Sequence, residues 1–326
     1  MLFVEKICMK KYIILILCLI PLLTYSQSNK FFRKGMREAD LNKKIALFTE
    51  AIKLDPKNLD AYFYRGIAKN DLGNFHGAIV DYSKIIVLKP DADTYYNRGN
   101  SRYSLKDFVG AKSDYSKAFE TDSTFIDALY SLGCVKYDLE EYEDAIKDFS
   151  KVIKVVPDQP KTYILRASAY KALKEHKKAL KDYSLAILAE PSAYTYYSRG
   201  VYYLDINYYQ KANIDLNAAV ALNRNNAFAY FYRGTSYLLL GKYNTAISDF
   251  TSALKFDSTD FDALLGLALA YYKTGDITNA KLNLQKAKSI LSPEKDIKTT
   301  GLFDNTYWFQ NKYYYFNNNI QALLKL

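Results

Sequence analysis

The sequence predicts an all-α solenoid of about eight stacked helix-turn-helix units that ends in a capping helix. The first observation is a glycine or alanine that recurs every 33 or 34 residues. The second is an alanine twelve residues after each one. The recurring small residues are Gly66, Gly99, Gly133, Ala167, Gly200, Gly234 and Ala268. The alanines that follow them are Ala78, Ala111, Ala145, Ala179, Ala212, Ala246 and Ala280.

Large apolar residues keep fixed distances from these small residues. A tyrosine or leucine lies four residues before each one, and a tyrosine, phenylalanine or leucine lies sixteen residues after it. Within each half of a unit the spacings are three, four or seven residues, which is the period of one helix face. We therefore expect each unit to be two amphipathic helices that cross closely at the small residues, where a larger side chain would overpack the contact.

The repeated pattern resembles the tetratricopeptide repeat, although tyrosine or leucine stands in the column usually held by tryptophan. The resemblance covers about four-fifths of the chain, and it implies a right-handed superhelix that binds other proteins. The segments that match the signature of the first helix are Phe63-Tyr64-Arg65-Gly66, Tyr96-Asn97-Arg98-Gly99 and Phe231-Tyr232-Arg233-Gly234.

The repeat array is expected over residues 27–292. Its first unit, near residues 28–58, is degenerate: Phe31-Phe32-Arg33-Lys34-Gly35 imitates the signature, but the turn is about three residues shorter. The regular units are expected near residues 59–91, 92–125, 126–159, 160–192, 193–226, 227–260 and 261–292.

The start of the chain is predicted to be a signal peptide over residues 1–26. Lysines precede an apolar run, Tyr12–Leu23, and small residues follow it, so cleavage is expected after Ser26. The run is short for a membrane span, which needs about 20 apolar residues. The protein is thus expected to be exported, and then periplasmic or secreted. An uncleaved signal anchor is the alternative, and translation has two candidate starts, Met1 and Met9.

Composition argues against catalysis. The chain has two histidines and three cysteines, of which only Cys134 follows the predicted signal peptide. It has no CxxC, HExxH or GxSxG motif and no glycine-rich phosphate loop. We expect no catalytic residue, no cofactor and no metal.

The charged residues that recur have a structural interpretation. An arginine of the first helix is followed sixteen residues later by an aspartate of the second, which predicts a charge pair between packed helices. One unit has Leu132 in the arginine column, so its Asp148 must bond another group. The predicted pairs are Arg65–Asp81, Arg98–Asp114, Arg166–Asp182, Arg199–Asp215 and Arg233–Asp249.

In the family that the chain resembles, the first helices line a concave groove that grips a peptide or helix. By helical spacing, the groove positions are those three before, one after and four after each small residue. They form an aromatic, weakly polar strip suited to apolar or aromatic side chains of a partner. Alternatively, the residues three before the small residue pack between adjacent units. The groove candidates are Phe63, Tyr96, Tyr130, Tyr197, Phe231, Asn100, Tyr103, Tyr137 and Lys171.

The net charge is +10, with lysines and arginines concentrated at the start of the array and in the fifth unit. Such patches suit an acidic protein, an anionic lipid surface or nucleic acid, whereas the simpler interpretation is solvated helix faces. The export signal and the lack of a recognition motif argue against nucleic acid. Membrane contact is expected only peripherally or through an uncleaved anchor.

The tail, residues 293–326, breaks the repeat and is rich in aromatic residues, including Tyr307-Trp308-Phe309. We expect a capping helix, with a docking surface for a partner or a second copy as the alternative. The leading function is a non-enzymatic scaffold of the cell envelope or secreted space that binds a protein or peptide in the groove. The alternative is an assembly subunit of an envelope complex, engaged through its ends and convex face.

Overall fold

The computed structural model describes residues 25–291 and 300–325 of the chain. The predicted signal peptide therefore lies outside the described residues except for its last two, and so does the start of the tail. The chain divides into two compact units, Met1–Pro157 and Asp158–Leu326. These two are called the first unit and the second unit from here on, and a single repeat is called a hairpin.

The described part of the first unit consists of four helical hairpins. Its first helix, α1, is formed over residues 25–37. The following helices are α2 (Leu41–Leu54), α3 (Leu59–Asp71), α4 (Phe75–Leu88), α5 (Ala92–Ser104), α6 (Phe108–Thr121), α7 (Ile126–Asp138) and α8 (Tyr142–Val155).

The second unit continues with four more hairpins and a C-terminal segment, residues 300–325, which holds a 3-10 turn (Thr300–Phe303) and two helices. No strand occurs among the residues described, and the predicted all-α architecture of consecutive hairpins is confirmed. The helices are α9 (Pro160–Ala172), α10 (His176–Ala189), α11 (Ala193–Asp205), α12 (Tyr209–Leu222), α13 (Ala227–Leu239), α14 (Tyr243–Leu254), α15 (Phe261–Thr274), α16 (Ile277–Leu291), α17 (Tyr307–Asn311) and α18 (Tyr313–Leu324).

The two helices of a hairpin cross where the glycines lie. A Cβ atom on Gly66 would stand 2.7 Å from Tyr82, the residue sixteen positions later, and one on Gly133 would stand 2.7 Å from Phe149. The degenerate first hairpin makes the same contact between Gly35 and Phe48, only thirteen positions apart. Its turn is therefore three residues shorter, as the sequence predicted. The same type of contact, a glycine against an aromatic ring, is kept.

Each of the seven regular hairpins turns through one residue with a positive φ angle. Only three of these are glycines, so the other four hold an L side chain in the left-handed region, which costs about 1–2 kcal/mol each. The residues are Gly73, Lys106, Glu140, Lys174, Asn207, Gly241 and Gly275.

The predicted ion pairs between helices are confirmed. In all five pairs the guanidinium donates two hydrogen bonds of 2.7–3.0 Å to one carboxylate, as in Arg98–Asp114. Asp148, which has no arginine, instead accepts a 2.5 Å bond from Lys136 on α7. The five pairs and this substitute leave the buried aspartate column satisfied, as burial of charge requires.

Within the described residues, no helix has the length and apolar character needed to cross a membrane.

Candidate functional site

The first-helix face is the side of the odd-numbered helices that carries the three groove positions. In the first unit, its residues three before the small residue are half-buried. Phe63, Tyr96 and Tyr130 each lean on the aromatic residue nineteen positions later, with ring centroids 6.0, 5.8 and 6.2 Å apart. Each ring therefore packs within its own hairpin. Tyr96 also packs against the next hairpin, because its ring centroid lies 4.8 Å from that of Phe125, the residue before α7. All three residues remain partly exposed.

The other candidates of the first unit are more open or more polar. Tyr103 is 37% exposed and donates a 2.5 Å hydrogen bond to Asp138 of the next hairpin. Asn100 accepts a 2.8 Å bond from the Tyr115 hydroxyl. Tyr137 is half-buried with its ring 5.4 Å from that of Tyr142. These contacts hold the face in one arrangement and leave Tyr103 accessible.

Sequence reasoning missed Tyr64 as a surface residue of this region. It lies two positions before Gly66, a column left out of the groove, and it is 36% exposed. Phe63 and Tyr64 line a cavity of about 330 Å³, together with Asp60 and Asp91. The first unit thus offers an aromatic surface with carboxylates beside it.

In the second unit, two candidates link consecutive first helices. Lys171 of α9 forms a 2.5 Å ion pair with Asp205 of α11. The Tyr197 ring of α11 lies 5.7 Å from that of Tyr232 on α13. Lys171 and Asp205 occupy the same positions in their repeats as Tyr103 and Asp138 do. A polar bridge between neighbouring hairpins therefore recurs at these repeat positions.

Phe231 differs from the expected open strip, because it is only 5% exposed. Two rings of the C-terminal segment cover it, with centroids at 5.2 Å for Tyr307 and 6.1 Å for Trp308. Phe231 is therefore a contact of the chain with its own tail and is closed to an external partner in this arrangement. Phe231 and Phe63 occupy the same position in their repeats, so only the tertiary fold makes one covered and the other partly exposed.

Three anchors attach the C-terminal segment to the first helices. The carboxylate of Asp262 accepts from the Tyr307 backbone N–H at 2.9 Å, and the carbonyl oxygen of Asp262 accepts from the Trp308 indole N–H at 2.8 Å. The Lys312 ammonium donates to the Leu204 carbonyl oxygen at 2.5 Å and to the Asn207 side chain at 3.0 Å. The sequence carried no periodic signal for Asp262 or Lys312.

The helix α18 buries its apolar side next to α15. Phe316, Ile320 and Leu323 join one core cluster with Leu265 and Leu269 of α15. This is the predicted capping role, because these α15 residues would otherwise form the exposed end of the array.

Burial shifts the pKa values of the ionisable groups at these anchors. Burial, aided by the neighbouring Asp260, raises the pKa of Asp262 to about 7. Burial also lowers the pKa of Lys312, against the opposing effect of Asp205. Away from this region, burial raises the pKa of the Cys134 thiol to about 12, which leaves almost no thiolate for nucleophilic chemistry. In the described part of the chain, no cluster of three or more histidine, cysteine and acidic residues could hold a metal ion.

Comparisons with known proteins agree with this architecture. Family models described as tetratricopeptide repeat match residues 130–194 and 262–290, and one described as TPR repeat matches residues 234–275. No curated protein matches the chain.

Solved structures share the fold. A tetratricopeptide repeat protein from Parabacteroides merdae is 20% identical with a TM-score of 0.55, covering 77% of this chain and 98% of its own. Yeast Tom70 is 18% identical with a TM-score of 0.53, covering 91% of this chain and 64% of its own. The APC/C hetero-tetramer Cut9-Hcn1 is 18% identical with a TM-score of 0.53, covering 87% of this chain and 55% of its own.

Proposed function

Because this chain is a tetratricopeptide repeat protein, we propose that it is a non-enzymatic scaffold that binds a peptide or helix on the first-helix face of its first unit. Repeats of this kind form protein–protein interaction scaffolds, and the fold alone does not identify the partner. The proposed binding surface is the aromatic surface around Tyr64 and Tyr103.

The observation that carries the proposal is the contrast between the two units. On the second unit, an aromatic segment of the same chain already lies on the first-helix face and covers Phe231. On the first unit, Tyr103 on this face and Tyr64 in the neighbouring column remain more than one-third exposed. A face that accepts aromatic side chains in one half of the array is suited to accept them in the other, with Trp, Tyr and Phe as the preferred anchors.

We further propose that the scaffold works in the cell envelope or the secreted space. The support is the sequence of residues 1–26, whose basic start, short apolar run and small residues describe an export signal.

An assembly subunit engaged through its outer surface is the second candidate, and one observation favours it. Large apolar side chains are exposed on the second helices of several hairpins. They are Val80, Val87, Val109, Leu188 and Ile214, each at least 66% exposed. Exposed apolar surface of this kind is a common feature of docking sites.

The test compares two matched double variants of the full chain. Tyr64→Ala/Tyr103→Ala removes rings from the first-helix face, and Val80→Ala/Val109→Ala removes apolar groups from α4 and α6. Each protein is cross-linked in the native cell envelope, and captured proteins are quantified by mass spectrometry against wild type. We expect the tyrosine variant to lose a partner that the valine variant retains.

If the valine variant loses the partner and the tyrosine variant keeps it, the outer surface is the functional one and the alternative replaces the proposal. Circular dichroism of both variants verifies that the helices remain folded.

A further inference from the structure

Residues 307–312 cross the first-helix face of the second unit from α15 over α13 to the end of α11. Tyr307 and Trp308 are bound to Asp262 at the start of α15. The Tyr307 ring then packs on α13, and Lys312 reaches the end of α11. Three consecutive first helices are thus bridged by six residues, which is the path that a bound peptide would take across them.

The indole of Trp308 fits a space made by one residue choice. A Cβ atom on Gly266 of α15 would stand 2.8 Å from indole Cζ2 and 2.6 Å from the Phe250 ring, so the glycine admits both rings. Gly266 lies two positions before Ala268, the small residue of its hairpin. At this position the other regular hairpins carry larger residues. Those residues are Tyr64, Asn97, Ser131, Leu165, Ser198 and Tyr232. The hairpin of α15 and α16 is therefore the regular hairpin whose sequence makes room for a ring at this position.

Lys312 donates its hydrogen bonds to neutral groups. The residue is 5% exposed, and its ammonium contacts the carbonyl oxygen of Leu204, the amide oxygen of Asn207 and the face of the Tyr209 ring at 5.4 Å. Its location at the C-terminal end of α11 is favourable because the helix dipole is negative there. It forms no ion pair with a described carboxylate, so its burial is only partly compensated.

Residues 307–312 also contain a buried polar atom that the packing leaves unsatisfied. The hydroxyl group of Tyr307 has no hydrogen-bond partner among the described residues. Unpaired buried groups reduce the stability of a contact. Together with the incompletely compensated Lys312, this hydroxyl describes a docked segment that is held specifically but below its maximal affinity, as a displaceable ligand should be.

We propose that the first-helix face of α11, α13 and α15 is a second binding site, which residues 307–312 occupy as an internal ligand. The partner that displaces them carries the same anchors: a tyrosine-tryptophan pair followed four residues after the tryptophan by a lysine. This inference rests on the proposed function, since it assigns a partner chemistry and a means of regulation to the same kind of face. A partner must compete with the internal segment. The apparent affinity of the partner is therefore its intrinsic affinity multiplied by the fraction of time that the face is free.

The experiment measures binding of a fluorescently labelled peptide with the sequence of residues 304–316 to the full chain by anisotropy. Lys312→Gln in the chain weakens the internal ligand, so the peptide should bind about tenfold more tightly than to wild type. Lys325→Gln, an exposed lysine at the end of α18, is the matched control and should leave the affinity unchanged. Gly266→Ala added to Lys312→Gln should reverse the gain.

A second measurement uses Trp308, the only tryptophan of the chain. Its buried indole should shift its emission to longer wavelength in Lys312→Gln and not in Lys325→Gln, because weakening the internal ligand exposes the ring for part of the time. Unchanged emission together with unchanged peptide affinity would overturn the proposal and make the segment a fixed part of the core.

Two further outcomes are decisive. A Lys312→Gln chain that dimerises in light scattering and binds no peptide has a second copy as its occupant, which rejects the proposed partner. Peptide binding that survives Tyr64→Ala/Tyr103→Ala while partner capture is lost shows that the two sites are separate. A failure at one site is therefore distinguishable from a failure at the other.

Discussion

The indole N–H of Trp308 donates a 2.8 Å hydrogen bond to the backbone carbonyl oxygen of Asp262, a residue 46 positions earlier in the chain. The carboxylate of the same aspartate accepts from the backbone N–H of Tyr307 at 2.9 Å. One residue in the first turn of α15 thereby orients two consecutive aromatic residues, and it brings both of them onto Phe231. This relationship closes the face of the second unit, and its energetics can be measured.

Asp262 should make the stability of the second unit depend on pH. Its pKa is raised to about 7 in the folded chain, whereas an unfolded aspartate titrates near about 3.9. The folded state therefore binds more protons than the unfolded state between about pH 4 and pH 7, and stability falls as the pH rises through this window. Asp262→Asn keeps an acceptor oxygen and removes the charge, so we expect it to be more stable by about 2 kcal/mol at pH 8.

Thermal unfolding of both proteins from pH 4 to pH 8 measures this effect. Asp304→Asn, which changes an exposed aspartate of the C-terminal segment, is the control and should leave the pH dependence as in wild type. An Asp262→Asn protein that loses stability at pH 8 would show that the carboxylate bond to Tyr307 outweighs the cost of burial.

Trp308 should be the largest single contributor to attachment of the C-terminal segment. Its side chain is fully buried between Phe231 and Phe250, with ring centroids 6.1 Å away in both cases. Trp308→Ala should lower the free energy of unfolding by about 3–5 kcal/mol because it leaves a cavity. Trp308→Phe keeps a ring and loses the bond to Asp262, so about 1–3 kcal/mol is expected. Urea titrations followed by circular dichroism separate the two, and equal midpoints for both variants and wild type would contradict the buried position.

Arg98 and Asp114 should be energetically coupled. The guanidinium donates bonds of 3.0 and 2.7 Å to the two carboxylate oxygens, and the aspartate is buried. Truncating Arg98 leaves Asp114 with Arg102, whose guanidinium is 2.9 Å away, and truncating Asp114 removes the carboxylate to which Arg98 donates two bonds. The cost of the double variant Arg98→Leu/Asp114→Leu should therefore be smaller than the sum of the single costs by about 1–3 kcal/mol. Simple additivity in urea unfolding would mean that the pair contributes no interaction energy.

Lys136 should contribute more to the free energy of unfolding than a lysine of an exposed ion pair on the same hairpin. Lys136→Met leaves buried Asp148 with only Lys151, whose ammonium is 3.6 Å away, and should lower the free energy of unfolding by about 2–3 kcal/mol. Lys147→Met breaks an exposed pair with Asp144 and should cost less than about 0.5 kcal/mol. Similar losses for the two variants would indicate that Asp148 is satisfied by other groups.

The repeated hairpins and their ion pairs could be predicted because they depend on contacts of short sequence range. Gly133 and Phe149, or Arg98 and Asp114, lie sixteen residues apart, and the same spacing recurs along the chain. A repeated local spacing is visible in one sequence, since each hairpin repeats the same packing problem. The left-handed turn at Lys106 was not predicted, because lysine has no preference for a positive φ angle.

Residue spacing alone establishes the array of helical hairpins and the side of each first helix that carries the aromatic residues. It does not distinguish Phe63, which is partly exposed in the folded chain, from Phe231 in the same column, which the C-terminal segment covers. The difference is one of range, because the helix period assigns a residue to a face from its near neighbours. What covers that face depends on contacts such as Lys312 to Leu204, 108 residues apart, which have no period and arise only when the chain is folded.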